Sequence, residues 1–333
     1  MANNKDFKVK NGIQPTVYHE AVSTVTSETE GYYLAGANYD SKSFSVASEE
    51  TNPFGIAFKS DGTKMYVAGT TGDDINQYTL STAWDVSTAS FDSVTFSVIS
   101  QATTLQGLFF KPDGTKFYVP CIATDAVYQY TMSTAWDLST ASYESKSLSV
   151  SAQGSGPAGL YFKSDGLTLF ILDYIPDTVF EYTLSTAWDV STASYSSNSF
   201  SVNSQDTTPY GLWFNDDGTK FIVAGDQNDS AYEYTMTSAW DITTASYSGT
   251  SFNLASAGST TAPTGITFKP DGTKMYSAMR GNDTIYQYST VLNTAELDLS
   301  TGSVFEITPT SDIQINLSNP ADSGTVSQAT LLL

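Results

Sequence analysis

The sequence predicts an all-β fold in which five four-stranded sheets stand radially around one axis, and three observations predict it. An Asp-Gly pair between aromatic-rich, β-prone runs recurs at Asp61, Asp113, Asp165, Asp217 and Asp271, at spacings of 52, 52, 52 and 54. The phrase YTLSTAWDVSTAS, from Tyr78, returns from Tyr130, Tyr182 and Tyr234 and fails from Tyr288, which opens YSTVLNTAELDLS. The segment YDSKSFSV, from Tyr39, stands one period ahead of its next copy at Phe91, with no repeat in front of it. Self-similarity at such a period marks units that cannot bury their own faces and must pack on their neighbours.

Within each unit the elements follow in order. The first strand reads FGIAFK, QGLFFK, AGLYFK, YGLWFN and TGITFK in the five copies. The Asp-Gly turn comes next, because glycine tolerates the positive φ of a tight hairpin. The second strand is KMYVAG, KFYVPC, TLFILD, KFIVAG and KMYSAM, and the third is INQYTL, AVYQYTM, TVFEYTL, SAYEYTM and TIYQYS. A tryptophan loop then leads to the fourth strand. Trp84, Trp136, Trp188 and Trp240 could form a sugar-stacking set. A long loop repeated almost unchanged is better explained by its burying its own large ring, which makes these residues scaffold.

The five fourth strands run one unit ahead of the other three, so YDSKSFSV supplies the outer strand of the last sheet. Closure with terminal strands from both chain ends removes the exposed edges of a radial array. The expected fold is therefore a five-bladed β-propeller of ~52-residue repeats, closed by an N-terminal strand in the last blade, with small β extensions at both ends. The expected boundaries are an arm over residues 1–38, the ring over 39–288 and a C-terminal β module over 289–333. In the arm, FKVKNGI reads as a strand entering a tight turn. The runs SVFEITP, DIQINLS and SQATLLL belong to the C-terminal module, which is too small to stand alone and must pack on the ring or on another chain.

Composition narrows the chemistry. Acidic residues number 35 and basic ones 14, for a net charge of −21, and Arg280 is the sole arginine. Such a balance repels a phosphate backbone, so nucleic acid is not an expected partner. Cys121 has no second cysteine to pair with and, at the end of a second strand, reads as a buried structural thiol. MANNKDFKVKNG lacks the apolar stretch of a secretory signal, and no apolar run approaches the ~18 residues of a membrane span, so folding in the cytosol is expected. His19 lies in the arm, and one remote histidine builds neither a Ser-His-Asp set nor a metal cluster. No enzymatic activity and no cofactor are expected.

The repeats FKSDGTKMYV, at 58–67, and FKPDGTKFYV, at 110–119, resemble the YVTN-type propeller repeat of many extracellular and surface-layer proteins. That resemblance implies a propeller and leaves function open, since such rings serve as enzymes, lectins and scaffolds. NKDFKVKNG, at 4–12, is similar to the opening of structural proteins of tailed marine bacteriophages. LDLSTGSVFEITPTSDIQINLSNPADSG, at 297–324, resembles a small β module of phage fibre and appendage proteins. These resemblances imply a virion component, assembled in the host cytoplasm as a homo-oligomer and joined to other virion proteins through both end segments. A lectin-like or surface-layer ring outside any virion is the alternative.

Function is sought where the repeats disagree. The connections from fourth to first strand and from second to third strand share one face of the disc, and there the copies diverge. Phe54, Gln106, Tyr174, Tyr210 and Arg280 are the candidate binding residues on that face, for a host-surface glycan or protein, since aromatic and arginine anchors favour binding sites. Simple drift of solvated loops is the competing explanation. Asp73, Asp125, Asp177, Asp229 and Asp283 share one repeat position before the third strand. Five symmetric carboxylates are no acid–base pair, which needs two different environments. They read as turn formers, with a cation ring at one mouth of the channel as the lesser reading. Trp213 replaces Ala57, Phe109, Tyr161 and Thr267 within a first strand and is assigned to packing between blades.

Overall fold

The computed structural model describes Tyr32, residues 34–257, 262–290, 293–298 and 313–318. Tyr32–Thr290 forms one compact unit. It contains five antiparallel four-stranded sheets, the predicted five-bladed propeller. Blade 1 comprises Pro53–Phe58, Lys64–Gly69, Asp74–Leu80 and Ala89–Ser97, from the axis outwards, and blade 2 comprises Phe109–Phe110, Lys116–Cys121, Ala126–Met132 and Ala141–Ser149. Blade 3 is Pro157–Phe162, Thr168–Asp173, Thr178–Leu184 and Ala193–Ser201; blade 4 is Pro209–Phe214, Lys220–Gly225, Ser230–Met236 and Ala245–Asn253. Blade 5 takes Pro263–Phe268, Lys274–Met279 and Thr284–Ser289 from one end of the ring and Asn38–Ser45 from the other. The last two pair antiparallel, with Tyr39 opposite Tyr288 and Ser45 opposite Thr284.

The core lies between blades rather than within them. One buried cluster joins Tyr66 and Ile75 of blade 1 to Phe110, Phe117 and Tyr130 of blade 2, and another joins Tyr276 and Ile285 of blade 5 to Ile56 and Met65 of blade 1. Each outer strand carries an irregularity opposite the third strand, with Ser41, Ser93, Ser145 and Ser197 at positive φ and Gly249 in the fifth case. Bulges of this kind twist an exposed edge out of register with any incoming strand.

The tryptophan loops clamp the Asp-Gly turns. Each Trp has a φ between 63° and 66°, a region that disfavours large side chains, and donates its N–H to the glycine carbonyl of its own blade's turn. The ring covers that glycine; a Cβ on Gly114 would lie 2.3 Å from the Trp136 indole. The strained conformation persists because the ring also stacks on its blade's first strand, as Trp136 does on Phe110.

The fifth blade has the same clamp, from an unexpected source. Tyr32, 52 residues before Trp84, has φ 69° and donates its N–H to the Gly272 carbonyl at 2.8 Å. Its ring packs on Phe268 and Trp213, and Leu34 is buried where Val86 sits in blade 1. The part of the ring that comes from the N-terminus thus begins at Tyr32, seven residues ahead of the strand expected from Tyr39. Trp213, as expected, packs between blades: it lies 4.3 Å from Phe268 and also touches Tyr161.

Two further clasps cross the seams between blades. Tyr66, Tyr118 and Tyr276 each donate a hydroxyl to the Trp carbonyl of the next blade, at 2.6, 2.8 and 2.8 Å. Gln77, Gln129 and Gln287 each accept the N–H of the residue two beyond that Trp: Leu138, Val190 and Val86. These clasps close seams 1–2, 2–3 and 5–1. At seam 3–4 the tyrosine position is Phe170 and the glutamine position is Glu181, although Trp240 is present to receive them. Phe170→Tyr should therefore add one buried hydrogen bond, to the Trp240 carbonyl, worth ~1 kcal/mol. Phe170 lies 6.3 Å from Trp240, against 6.2 Å for Tyr66 from Trp136. Calorimetry should show a melting point raised by about 2–4 °C; a fall would mean that the hydroxyl does not fit.

A second unit contains the strands Asn293–Asp298 and Ile313–Ser318, paired in parallel. The second strand corresponds to the DIQINLS run, whereas the first was not anticipated. FKVKNGI, SVFEITP, SQATLLL and His19 lie outside the described residues.

Candidate binding face around the ring axis

Five inner strands converge at the axis, each with one extra residue just before or at its glycine. Pro53 pairs with Gly69 and Gly55 with Ala68, so Phe54 is unopposed, and Tyr210 and Thr264 repeat this in blades 4 and 5. A bulge re-aims the side chain it carries. Phe54 is 2% exposed, Gln106 6% and Tyr210 8%, so three residues expected as binding residues on the variable face are instead buried at the axis. A pocket of about 30 Å³ lies on the axis, lined by Phe54, Gln106 and Tyr210 and by apolar residues such as Ile56 and Leu212 together with the glycines. That is room for about two waters. The buried Gln106 Oε1 has no hydrogen-bond partner.

Four of the five candidate residues meet in one cluster. The Phe54 and Tyr210 rings are 5.4 Å apart, edge to face, and Tyr174 lies 5.4 Å from Tyr210. The Arg280 guanidinium sits over both Phe54 and Tyr210, at 5.6 and 5.4 Å, and pairs with Asp226. Burial raises the Tyr210 hydroxyl above its ordinary range, and Arg280 partly offsets this. Gln106 is not in this cluster of contacts but lines the same axial pocket as Phe54 and Tyr210. Asp226 was missed by sequence reasoning, although it shares a repeat position with Tyr174 and Arg280, and opposite charges on that position were a usable signal. Beside the cluster, the second-to-third-strand turn of blade 3 is unlike the others: Ile175 is 48% exposed and Pro176 follows it.

The connections bearing these residues are held by buried carboxylates. Glu50 accepts the N–H groups of Asn52 and Thr71, Asp173 those of Gly156 and Ile175, and Asp206 that of Thr208. Each lies over a glycine across the blade: Glu50 over Gly69, Asp206 over Gly225 and Asp173 over Gly154. The acid comes from the connection in two blades and from the second strand in the third. Blade 2 has Ala102 and Cys121 at these positions, both buried. Burial raises the carboxyls of Asp173 and Asp206 above the ordinary range.

The five equivalent aspartates are turn residues. Asp73, Asp125, Asp177, Asp229 and Asp283 all have φ between 48° and 58°. Their carbonyls accept the N–H groups of Val98, Val150, Val202, Leu254 and Val46, one per blade. The structure does not assemble them into a cation ring: among the described residues no three His, Cys, Asp or Glu side chains are placed to hold a metal ion. Every described lysine, and Arg280, is in an ion pair. Among the described residues no helix is long and apolar enough to cross a membrane.

Comparison with known proteins assigns no family. No family model and no curated protein matches the chain. Among solved structures, a candidate 6-phosphogluconolactonase from Bacteroides uniformis ATCC 8492 aligns at 14% identity and a TM-score of 0.44, covering 70% of this chain and 65% of that one. A protein of unknown function from Desulfotomaculum acetoxidans DSM 771 aligns at 12% and 0.43, over 68% and 65%. A second candidate 6-phosphogluconolactonase, from Bacteroides fragilis NCTC 9343, aligns at 17% and 0.43, over 72% and 67%. The chain thus spans less than two thirds of the length of the first two.

Proposed function

We propose that the chain is a non-enzymatic structural protein of a phage virion, in a tail fibre, appendage or capsid-surface fibre, whose ring displays the Arg280 face to a host-surface glycan or protein. The virion reading rests on the resemblances of NKDFKVKNG and of residues 297–324 to phage proteins, and the YVTN-like repeats are its scaffold. The observation that carries the binding reading is a division of labour among the repeats. Positions that clamp turns recur almost unchanged, whereas one face alone combines exposed Ile175, the Tyr174 ring and the half-buried Arg280. Aromatic, aliphatic and arginine side chains in one patch are the usual anchors of an interface.

Ile175→Ser changes an exposed side chain and should leave the melting point within about 1 °C, as exposed sites usually do. It should nevertheless weaken binding to host cells or extracted surface glycans at least ~10-fold, on the scale of a lost interface anchor, as should Tyr174→Ala. Unaltered binding in both variants would remove this face from the proposal. Mass spectrometry of purified particles tests the virion reading separately. A ring that binds through this face but is absent from particles would be the lectin-like alternative.

A further inference from the structure

Seam 3–4 differs from the other seams in charge as well as in hydrogen bonding. In blades 1, 2 and 5 the inter-blade residue is glutamine, and its amide donates to a carboxylate on the outer strand: Gln77 to Asp92, Gln129 to Glu144 and Gln287 to Asp40. A lysine from the second strand neutralises each acid: Lys64, Lys116 and Lys274. In blades 3 and 4 the carboxylate has moved inward, to Glu181 and Glu233, and serines 196 and 248 take the outer position. Glu233 keeps its lysine, Lys220, at 3.4 Å. Glu181 has none, because Thr168 stands at the lysine position.

The surroundings of Glu181 offer no other cation. It is 8% exposed. Its own blade presents Phe170 and Thr168 on one side and Ser196 and Asn198 on the other, of which Asn198 Nδ2 donates to it at 3.3 Å. The next blade presents the tryptophan loop, whose charged residue is Asp241. At seams 5–1 and 2–3 the equivalent loop acids, Asp85 and Asp189, are paired with Lys42 and Lys146. At seam 3–4 that lysine position is Asn198. Asp241 thus repels Glu181 across the seam with no described cation paired to either, and Glu181 does not bond the Ile242 N–H as the glutamines bond its equivalents.

We propose that Glu181 makes seam 3–4 an acid-tightened joint: protonated, it is a neutral donor and acceptor that fills the glutamine role; ionised, it leaves an unpaired charge between blades. Burial pushes its carboxyl above the ordinary 4.5, with Asp241 adding to the rise and Asn198 and Ser196 opposing it. Between 4.5 and the raised value the folded state holds more protons than the unfolded state. Stability from this group is therefore present below 4.5 and is lost as pH rises through the folded value.

Thermal melts of the full chain at pH 7 and pH 5 test this. Glu181→Gln should raise the melting point at pH 7 by about 2–4 °C, and the margin over the natural chain should shrink at pH 5. Gln129→Glu, which puts a second acid beside Glu144, should lower it at pH 7. An equal Glu181→Gln margin at both pH values would overturn the proposal, because the gain would then be a hydrogen bond and not a removed charge. A lower melting point for Glu181→Gln, or an unchanged one for Gln129→Glu, would overturn it too.

Discussion

A chain that begins at Val46 should fail to form the ring. Truncation there removes Asn38–Ser45, the outer strand of blade 5, and with it Tyr32 and Leu34. The exposed remainder includes Ile285, Tyr288, Phe268 and Trp213, all buried in the intact ring. Leu34 forfeits about 1.5–3 kcal/mol of apolar burial, and the half-buried Tyr32, Tyr39 and Phe44 each forfeit part of such a sum. Together with the lost strand pairing this is a large share of the ~5–15 kcal/mol that holds a whole domain together. Blade 5 would also present the third strand, Thr284–Ser289, as a bare edge. The expected result is an aggregated or expanded product on gel filtration, without the near-ultraviolet signal of packed aromatics. A chain beginning at Gly31 keeps every one of these contacts and serves as the control. A native melting transition in the shorter chain would show that blade 5 does not depend on its borrowed strand.

The N-terminal closure was legible because it is written as phase. YDSKSFSV has a full set of partners 52 residues on and no repeat before it, and a strand without a blade must join the one that lacks it. The clamp by Tyr32 carries the same signal more weakly: GYYLAGANY aligns with AWDVSTASF only if tyrosine is allowed to replace tryptophan and if the turn residues are ignored. What the two residues share is a flat ring over a glycine, and that is a property of the seat, not of the letters. The burial of Phe54 and Tyr210 was not legible for a different reason. They open the first strand next to a connection rich in Pro and Thr, but a one-residue bulge rotates them into the axis, and bulges leave no period in the sequence. The carboxylate over a glycine was hidden because it swaps sides, from Glu50 and Asp206 to Asp173, so neither position alone shows a pattern.

The seams explain why these particular residues occupy the axial cluster. Tyrosine and glutamine clasps close seams 1–2, 2–3 and 5–1 on the tryptophan-loop side of the disc. Seams 3–4 and 4–5 lack them, and the cluster crosses both on the other side, besides reaching blade 1 through Arg280 over Phe54. Tyr174 of blade 3 meets Tyr210 of blade 4, and Asp226 of blade 4 meets Arg280 of blade 5. An aromatic contact adds about 0.5–1.5 kcal/mol beyond its area, and a cation over a ring about as much. The cluster therefore staples the part of the ring that is least clasped. Arg280→Ala and Tyr174→Ala would each loosen the ring as well as alter its face, so the binding test rests first on Ile175, whose side chain is exposed.

Gly159→Ala should destabilise the ring by about 1–3 kcal/mol, the usual cost of overpacking. The sign is the informative part. Replacing a strand glycine by alanine ordinarily gains about 0.5–1 kcal/mol, because glycine is the costlier residue to order. Gly159 forbids that gain through space alone: a Cβ there would stand 2.7 Å from the Tyr210 carbonyl oxygen and 2.9 Å from the Leu212 nitrogen. Both atoms are backbone of the next inner strand, so they cannot swing aside as a side-chain tip can. Relief requires blade 4 to move outward, and blade 4 is held by blade 5, which is held by blade 1; the same approach recurs where a Cβ on Gly265 would meet the Phe54 carbonyl at 2.7 Å. The strain is thus spread around a closed circle and has no free end at which to dissipate. Gly249→Ser is the matched control. It lies at φ 87° with nothing within 4 Å of its would-be Cβ, and serine occupies the same bulge position at Ser41, Ser93, Ser145 and Ser197. Calorimetry should therefore find the Gly159 variant melting several degrees lower, at roughly 2–4 °C per kcal/mol, and the Gly249 variant little changed. Because Tyr210 carries both the obstructing carbonyl and a ring of the axial cluster, the Gly159 variant should also lose quenching or circular-dichroism signals that depend on the Phe54, Tyr174 and Tyr210 contacts. Equal stability of Gly159→Ala and the natural chain would mean that the inner strands are not in backbone contact and that the ring is wider than described.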